Sequence, residues 1–300
     1  MKNLFFYDDK IQSESDCKIN ILSPTVQYGL NVFEGIRCYY DKKNKNLYAL
    51  ELDKHINRLL ESAKLLGITV NYTTSQIKEY FIETINKNDF KEDIAVRIVL
   101  YATNNGSWAG NNEFKLLIAP RPYGRVFHDF DNGIATAFSS WKRLSLNAMP
   151  PSIKCGANYV NSRLAQIEAT RNGYQMALFL DERGYVSEAP GSCLFIVKDN
   201  VLYTPGVDSA ILDSITRKLI IRIAGHLGIN YKVNTLTRIQ VMNADSAFLC
   251  GTSIEIVKIK SVDGIELNNK DCKISDDIIE CFFKITQNCI EEFNDVISKI

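Results

Sequence analysis

Apolar and polar residues alternate along the first third of the chain at spacings that change from the strand period to the helical period. The segment CYYDKKNKNLYAL, residues 38–50, predicts a β-hairpin with a polar turn. Asp53 then precedes apolar residues at helical spacing, which predicts a helix that Asp53 caps and that ends at Gly67. A second helix is expected to begin near Ser75. Two strands follow, DIAVRIVLYAT and FKLLIAP, and the latter ends at Pro120.

The second half of the chain predicts a similar mixture. The strand IATAFSSW precedes the helix NYVNSRLAQIEATRNG and a strand-turn-strand unit, QMALFLDERGYVSEAPGSCLFIVKDNVLYTP, with turns at Glu-Arg-Gly and Asp-Asn. The helix SITRKLIIRIAGHLG is expected to be capped by Asp213 or Ser214 and closed by Gly228. After the strand DSAFLC, an amphipathic helix is expected near residues 275–299.

The stretch RPYGRVFHDFDNG, residues 121–133, combines Pro, Gly and turn-forming residues between apolar blocks. We predict that it is an interdomain loop between a small α+β domain, residues 1–120, and a large α+β domain, residues 134–300. Neither the alternating βαβ rhythm nor the GxGxxG of a dinucleotide-binding fold is present. The sequence therefore predicts a two-domain α+β protein.

Composition and charge narrow the function classes. The chain is 46% hydrophobic and 23% charged, and Lys plus Arg equal Asp plus Glu at 35 each. The zero net charge argues against nucleic acid or an anionic membrane as the main partner. The eight cysteines form no CxxC pair and lie far from the three histidines, so no metal site is expected. The start, MKNLFFYDDK, has too short an apolar run for a signal peptide, and we expect a cytoplasmic protein.

Two segments could bind an anion through exposed backbone N–H groups. Ile215 and Thr216 begin a predicted helix, and Gly251-Thr252-Ser253 forms a turn after an apolar strand. Each alone is more often a capped helix or a plain turn.

Three charged residues have ordinary interpretations when each is taken alone. Arg58 lies on the polar side of its helix and would be solvated, and Glu188, before a Pro-Gly turn, would be a turn residue. Arg97 interrupts an apolar strand, so it lies either on a solvated face or in a polar pocket between domains.

Lys154 stands in MPPSIKCGANYV, between a Pro-Pro pair and small residues. A lysine in such a place is usually part of a surface loop. However, no motif surrounds His55, His128 or His226, and no pair of carboxylates suggests a glycosidase or an aspartic protease. Lysine is then the most plausible reactive group, and lysine chemistry at a phosphate-rich site is Schiff-base chemistry.

Several motifs together resemble the fold-type IV pyridoxal-phosphate enzymes, and specifically the branched-chain amino acid aminotransferases. The motifs occur in the order and spacing of that family: YGLNVFEGIRCY (28–39), HINRLLESAK (55–64), IKCGANYVNS (153–162), GYVSEAPGSCLFIVKDNVLYTP (184–205), LDSITR (212–217) and the Gly251-Thr252-Ser253 turn. The resemblance implies the D-amino acid aminotransferase-like, two-domain α+β architecture. It also implies pyridoxal 5'-phosphate as cofactor and a homodimer or higher homo-oligomer.

The implied reaction is ping-pong transamination of Leu, Ile or Val with 2-oxoglutarate, by Schiff-base chemistry on Lys154. Glu188 would bind the pyridine nitrogen and Tyr159 the phenolic oxygen. The implied phosphate ligands are Arg58, Ile215, Thr216 and Thr252. The implied substrate contacts are Tyr28, Phe33, Arg37, Arg97, Thr252 and Ser253.

Some positions depart from the family pattern. Ala95 stands where a tyrosine is frequent, and Ala-Pro-Gly-Ser followed by Cys193 replaces a glycine-rich turn and an asparagine. The aromatic residues of the interdomain region are represented by Tyr123, Phe127 and Phe130. A D-amino acid aminotransferase or an aminodeoxychorismate lyase of the same fold therefore stays open, as does a non-catalytic protein that binds pyridoxal phosphate.

Overall fold

The computed structural model of the chain describes residues 3–127, 133–267 and 273–300. Contacts between Cα atoms divide the chain into two compact units. The first consists of Met1–Gly124, Ile153–Ala157 and Lys284–Ile300, and the second consists of Arg125–Ser152 and Asn158–Phe283.

The first unit is built on an antiparallel sheet. Its strands are β1 (Leu4–Tyr7), β2 (Lys10–Ser13), β3 (Asn31–Asp41), β4 (Asn46–Leu50), β5 (Ile94–Ala102), β6 (Phe114–Pro122) and β15 (Ile297–Lys299). Its helices are α1 (Pro24–Tyr28), α2 (Leu52–Leu65) and α3 (Thr74–Asn88). Within the described residues, the strand order is β15-β4-β3-β5-β6-β1-β2.

Strand β5 shows why this sheet forms. Ile94, Val96, Ile98 and Leu100 are buried because alternate side chains point to the same face of a strand, whereas Arg97 is exposed on the other face. In register, Gly35 of β3 and Ala119 of β6 lie on either side of Arg97. The arginine is therefore flanked by small residues.

The second unit contains a mixed sheet. Its strands are β7 (Ile134–Lys142), β8 (Met176–Leu180), β9 (Cys193–Lys198), β10 (Val201–Thr204), β11 (Tyr231–Val233), β12 (Ser246–Gly251), β13 (Glu255–Val262) and β14 (Ile265–Glu266). Its helices are α4 (Tyr159–Arg171), α5 (Ile215–His226) and α6 (Arg238–Met242), and α7 (Lys273–Thr286) ends the unit and extends into the first. In the part of the chain that is described, the order is β11-β10-β9-β12-β13-β7-β8, with β14 on β13. Strands β7 and β8 and strands β7 and β13 run parallel.

Most predicted elements are confirmed. The hairpin of residues 38–50 is the β3–β4 pair. The turn between β9 and β10 has Asp199 and Asn200 at positive φ, 49° and 60°, as a two-residue hairpin turn requires. Ser214, one of two candidate caps, accepts a hydrogen bond from the backbone N–H of Arg217 at 3.2 Å and begins α5.

Two predicted helix ends are wrong. Asp53 lies in the first turn of α2, and the cap position is Glu51, whose φ is 55° and whose N–H donates to the carbonyl of Val296 at 2.7 Å. The final helix stops at Thr286 rather than continuing toward residue 299. Residues Ile297–Lys299 instead pair with β4, a contact that no local periodicity reveals.

The two units differ from the sequence-based division at one functionally important place. Residues Ile153–Ala157, which include Lys154, belong to the first unit because their backbone pairs with β3, whereas the sequence placed them in the large domain. The division at residues 121–133 stays a prediction, and residues 128–132, with His128 and Phe130, lie outside the described residues.

None of the helices in the described ranges has the length and the apolar run that a membrane crossing requires.

Candidate active site

The backbone around Lys154 is fixed from both sides. The Lys154 carbonyl accepts from the N–H of Phe33 at 3.1 Å, and Cys155 forms an antiparallel bridge with Val32. The Lys154 N–H donates to the hydroxyl of Ser62, a buried residue of α2, at 3.2 Å. The chain at Lys154 is therefore held by the sheet and by a helix at once.

The small residues after Lys154 are required by packing. A Cβ at Gly156 would lie 2.8 Å from the side-chain amide of Asn31, and a Cβ at Gly29 would meet Ala157 at 3.4 Å. A larger residue at Gly156 would push the lysine segment away from β3.

The side chains of Lys154 and Arg97 both lie close to the aromatic ring of Phe33. The Lys154 Nζ lies 5.0 Å from the ring centroid, and the Arg97 guanidinium carbon lies 4.5 Å from it. Both distances allow cation–π attraction. Three residues that the sequence proposed for the lysine and for the substrate thus lie together in the first unit.

Arg58 belongs to a buried cluster with Glu34 and His55. The Arg58 Nε donates to Glu34 Oε1 at 2.6 Å and the Arg58 Nη2 donates to Oε2 at 2.9 Å. His55 Nδ1 lies 2.7 Å from Glu34 Oε2, so Nδ1 carries the proton that the carboxylate accepts. The Arg58 side chain is 12% exposed, and that of Glu34 is fully buried. Arg58 is therefore not the solvated residue that the helical pattern alone suggested.

Burial raises the pKa of Glu34, but His55 and Arg58 outweigh burial through their charge and hydrogen bonds and lower that pKa to about 2. Burial lowers the pKa of His55, and although Glu34 opposes this, Arg58 and Lys154 add to the lowering. The cluster therefore consists of an ionised Glu34, a cationic Arg58 and a neutral His55 at pH 7.

Arg37 and Tyr28 lie in different surroundings. Arg37 is 1% exposed, and its Nη1 donates to the carbonyls of Tyr123 and Gly124 at 2.7 and 3.1 Å. Its guanidinium also lies 5.0 Å from the Tyr123 ring centroid. Arg37 thus anchors the end of the segment Met1–Gly124. Tyr28 ends α1 and is 53% exposed.

The Glu188 carboxylate, in the second unit, accepts hydrogen bonds from several donors of the described residues. Arg143 Nε and Nη2 lie 2.9 and 2.8 Å from Oε1. The Leu212 N–H and the Cys193 thiol lie 3.1 and 3.8 Å from Oε2. Burial, followed by the charge of Glu188, raises the pKa of Cys193 well above its usual value, so the thiol keeps its proton. These donors favour the ionised carboxylate.

The Ala-Pro-Gly-Ser turn explains how Glu188 and Cys193 come to face each other. The Ala189 and Ser192 backbones exchange hydrogen bonds at 2.9 and 3.2 Å, and Gly191 has φ 74°, as the third residue of a type II turn requires. The residues flanking this turn, Glu188 and Cys193, therefore lie side by side.

In the second unit, the residues proposed to bind the phosphate lie at the start of a helix and in a hairpin turn. The first-turn N–H groups of Ile215 and Thr216 in α5 have no acceptor within the helix. Thr252 and Ser253 lie in the loop between β12 and β13, which closes at Glu255 with φ 60°.

Ser192 adds a hydroxyl that sequence reasoning did not predict. Ser192 is 4% exposed, and its Oγ has no hydrogen-bond partner among the described residues. A Cβ at Gly251 would lie 3.5 Å from the Ser192 Cβ, so Ser192 packs against the residue before Thr252.

Tyr159 is the first residue of α4, after the cap position Asn158. The Asn158 Nδ2 donates to the carbonyl of Pro150 at 3.4 Å, which ties this helix start to the Pro-Pro segment. Tyr159 is partly buried.

Sequence reasoning missed Glu34, His55 and Arg143. An acid inside the apolar strand NVFEGIRCYY needs a buried partner. That signal could have identified Glu34, and His55 and Arg58 are one helical turn apart. Arg143 had no comparable signal, because its partner lies 45 residues away. Within the described ranges, no group of three or more His, Cys, Asp or Glu side chains could hold a metal ion.

Comparison with known proteins identifies relatives over the whole length. Residues 31–262 match the family described as Amino-transferase class IV. The chain is 35% identical over 286 residues to the branched-chain-amino-acid aminotransferase of Salmonella typhimurium, covering 93% of this chain and 91% of that protein.

Two solved structures are closely similar. The branched-chain aminotransferase from Thermoproteus uzoniensis with norvaline is 34% identical with a TM-score of 0.95, covering 100% of this chain and 99% of that one. The T.th. branched-chain amino acid aminotransferase complexed with N-(5'-phosphopyridoxyl)-L-glutamate is 29% identical with a TM-score of 0.93, covering 99% and 98%.

Proposed function

The chain belongs to the class IV aminotransferases, and from this premise we propose that it transfers amino groups between Leu, Ile or Val and 2-oxoglutarate. The observation that carries the proposal is the nearly complete coverage, in both directions, of relatives that are named for branched-chain amino acids. Norvaline and a phosphopyridoxyl-glutamate adduct, bound in two of the related structures, support an aliphatic donor and glutamate as its counterpart. These relatives do not favour a D-amino acid aminotransferase, an aminodeoxychorismate lyase or a non-catalytic protein.

Pyridoxal phosphate is the cofactor of this family, and the residues present fit it. They provide a lysine amine, a carboxylate paired with Arg143, first-turn N–H groups of α5 that have no acceptor within the helix, and the buried Ser192 hydroxyl without a partner among the described residues. When bound, this cofactor supplies an aldehyde that condenses with amines and a pyridine ring that accepts the electron pair of the substrate Cα.

Lys154 is the residue we assign to the cofactor aldehyde and to proton movement. Its Nζ would take the proton from the substrate Cα and return a proton at the cofactor C4′. The Phe33 ring lies 5.0 Å from this amine, and the hydrogen bonds to Ser62 and β3 fix the backbone from which the amine extends. A lysine in a mobile surface loop would lack such support.

Glu188 is assigned to the pyridine nitrogen. Arg143 donates to Oε1 of Glu188, and the carboxylate would hold the protonated pyridine nitrogen by a charge-assisted hydrogen bond. Tyr159, at the start of α4, is assigned to the phenolic oxygen as a hydrogen-bond donor.

The phosphate is assigned to Arg58, Ile215, Thr216 and Thr252. Arg58 offers a guanidinium fixed by Glu34. The other three offer backbone N–H groups or hydroxyls at a helix start and in a turn, where anions bind readily.

Substrate recognition is assigned to two groups of residues. Phe33 and Tyr28 offer apolar surface, and Arg97 meets the second carboxylate of glutamate. Thr252 and Ser253 meet the α-carboxylate. Arg37 is retained as a candidate that acts from the buried position in which it holds the Tyr123 carbonyl.

A homodimer or a higher homo-oligomer and a cytoplasmic location complete the proposal. The described cysteines are all free, and free buried cysteines fit a reducing compartment. Sedimentation equilibrium of the purified enzyme tests the oligomer, and a monomer at micromolar concentration would contradict it.

A substrate panel tests the proposed reaction. The purified holoenzyme is incubated with 2-oxoglutarate and either L-leucine, L-isoleucine, L-valine or their D-forms, and glutamate and 2-oxoacid are measured. Aminodeoxychorismate is assayed for aminobenzoate release. Fastest turnover with the branched L-amino acids is expected, and preference for a D-amino acid or for aminodeoxychorismate would overturn the proposal.

A further inference from the structure

The carboxylate of Glu34 holds Arg58 in one orientation. Because Nε and Nη2 of Arg58 bond to different oxygens, 2.6 and 2.9 Å away, the plane of the guanidinium is aligned with that of the carboxylate. A single bond would leave the group free to rotate. This arrangement fixes where the remaining edge of the guanidinium points.

His55 holds Glu34 in turn. Its Nδ1–H donates to Oε2 at 2.7 Å, and the His55 side chain is 3% exposed. Oε2 therefore receives one hydrogen bond from the histidine and one from Arg58, which limits rotation of the carboxylate. The cluster has formal charges of minus one on Glu34 and plus one on Arg58, so the guanidinium is balanced before any anion arrives.

The same face of α2 also supports Lys154. His55, Arg58 and Ser62 are spaced by three and four residues, so their side chains lie on one side of the helix. Ser62 accepts the Lys154 N–H at 3.2 Å. One face of α2 thus carries the Arg58 guanidinium and also holds the backbone of Lys154.

We propose that Glu34 and His55 are positioning residues that hold the Arg58 guanidinium in the orientation that binds the cofactor phosphate. This inference rests on the proposed role of Arg58 as a phosphate ligand. The simpler alternative is a buried ion pair that only attaches α2 to β3. The two explanations predict different results for a ligand without a phosphate. Loss of Glu34 weakens the binding of such a ligand only if the ion pair has a merely structural role.

The experiment compares pyridoxal phosphate with pyridoxal, which lacks the phosphate. Full-length enzyme is freed of cofactor, and each ligand is titrated by quenching of protein fluorescence. Glu34→Gln is expected to weaken pyridoxal phosphate binding by about ten- to a hundredfold, the range for a lost hydrogen bond to a charged group. Pyridoxal binding is expected to change less than about twofold.

Two histidine variants separate geometry from packing. Asparagine can place an amide N–H near the position of the histidine Nδ1, whereas leucine cannot donate. His55→Asn is therefore expected to keep pyridoxal phosphate affinity close to that of the wild type, and His55→Leu to lower it. Glu51→Gln is the matched control, because Glu51 is also a buried acid beside α2 but is bonded to Lys54. It should leave the ratio of the two affinities unchanged.

A double-variant cycle distinguishes failure of this inference from failure of the proposed function. If Glu34 acts through Arg58, Glu34→Gln adds nothing to the loss of phosphate selectivity already caused by Arg58→Gln. This double variant also leaves no unpaired buried charge, so it keeps the test available if Glu34→Gln folds poorly.

Three results would count against the proposal. Equal weakening of both ligands by Glu34→Gln would show a merely structural role. Selective loss in Arg58→Gln with no loss in Glu34→Gln or His55→Leu would overturn the inference while sustaining the phosphate role of Arg58. Unchanged phosphate selectivity in Arg58→Gln would overturn that role itself, and the inference with it.

Discussion

Replacing Arg143 by methionine should destabilise the second unit, because it leaves the Glu188 carboxylate buried without its cation. Arg143 contributes two N–H groups to Oε1, at 2.9 and 2.8 Å, and the two side chains are 8% and 4% exposed. Methionine retains most of the apolar stem, so the change removes charge and hydrogen bonds more than volume.

The magnitude follows from this burial. Removing one partner of a buried pair costs about 3–5 kcal/mol, mainly because the remaining charge is uncompensated. For a unit of about 150 residues, each kcal/mol lowers the melting temperature by about 2–4 °C. We therefore expect Arg143→Met to lower the unfolding temperature of the second unit by roughly 6–20 °C.

The assay is thermal unfolding of the full-length protein without cofactor, followed by circular dichroism. Arg163→Met serves as the control, because Arg163 is an exposed arginine of α4 and such changes usually cost less than about 0.5 kcal/mol. Adding Glu188→Gln to Arg143→Met removes the buried carboxylate charge that Arg143 no longer compensates, so much of the lost stability should return. The reasoning is refuted if Arg143→Met melts like the control, or if the double variant is no more stable than the single one.

Three further predictions concern acid stability, a helix cap and substrate choice. Because the pKa of His55 is lowered from 6.5 in the folded chain, the unfolded chain binds the proton first as pH falls. The urea midpoint of the wild type should therefore drop more between pH 7 and roughly 5.5 than that of His55→Asn, with the exposed His226→Asn as control; parallel curves would contradict this. Ser214→Ala should cost about 1 kcal/mol through the lost cap of α5, and an unchanged melting temperature would argue against the cap. Arg97→Leu should slow the half-reaction with glutamate by at least about tenfold while sparing that with leucine, and equal slowing of both would exclude a role in reading the second carboxylate.

The parts of the fold that could be predicted from the sequence are those that local chemistry determines. Helix α5 has its serine cap and a glycine soon after its end, and the Asp199-Asn200 turn carries residues that tolerate positive φ. The sequence predicts an amphipathic helix near residues 275–299, but α7 stops at Thr286, before Phe293 and Val296. In the structure these two residues are buried, and the strand after them joins β4. Such an edge pairing depends on a distant segment.

The candidate site divides in the same way. Lys154, Glu188 and Thr216 stand in motifs whose order could be recognised along the chain. The residues that support Arg58 were predictable only in part. An acid in an apolar strand marks Glu34 as a residue that needs a buried partner. Its partner His55 is 21 residues away, and only the packing of α2 on β3 brings the two together.

The identity of the reactive lysine tests the account most directly. The holoenzyme is reduced with borohydride, digested, and searched by mass spectrometry for the lysine that carries a phosphopyridoxyl group. We predict that the label lies on Lys154, and that prior incubation with L-leucine without an acceptor reduces the labelling because the cofactor leaves the lysine. A label on another lysine, or full transaminase activity in Lys154→Ala, would contradict the account.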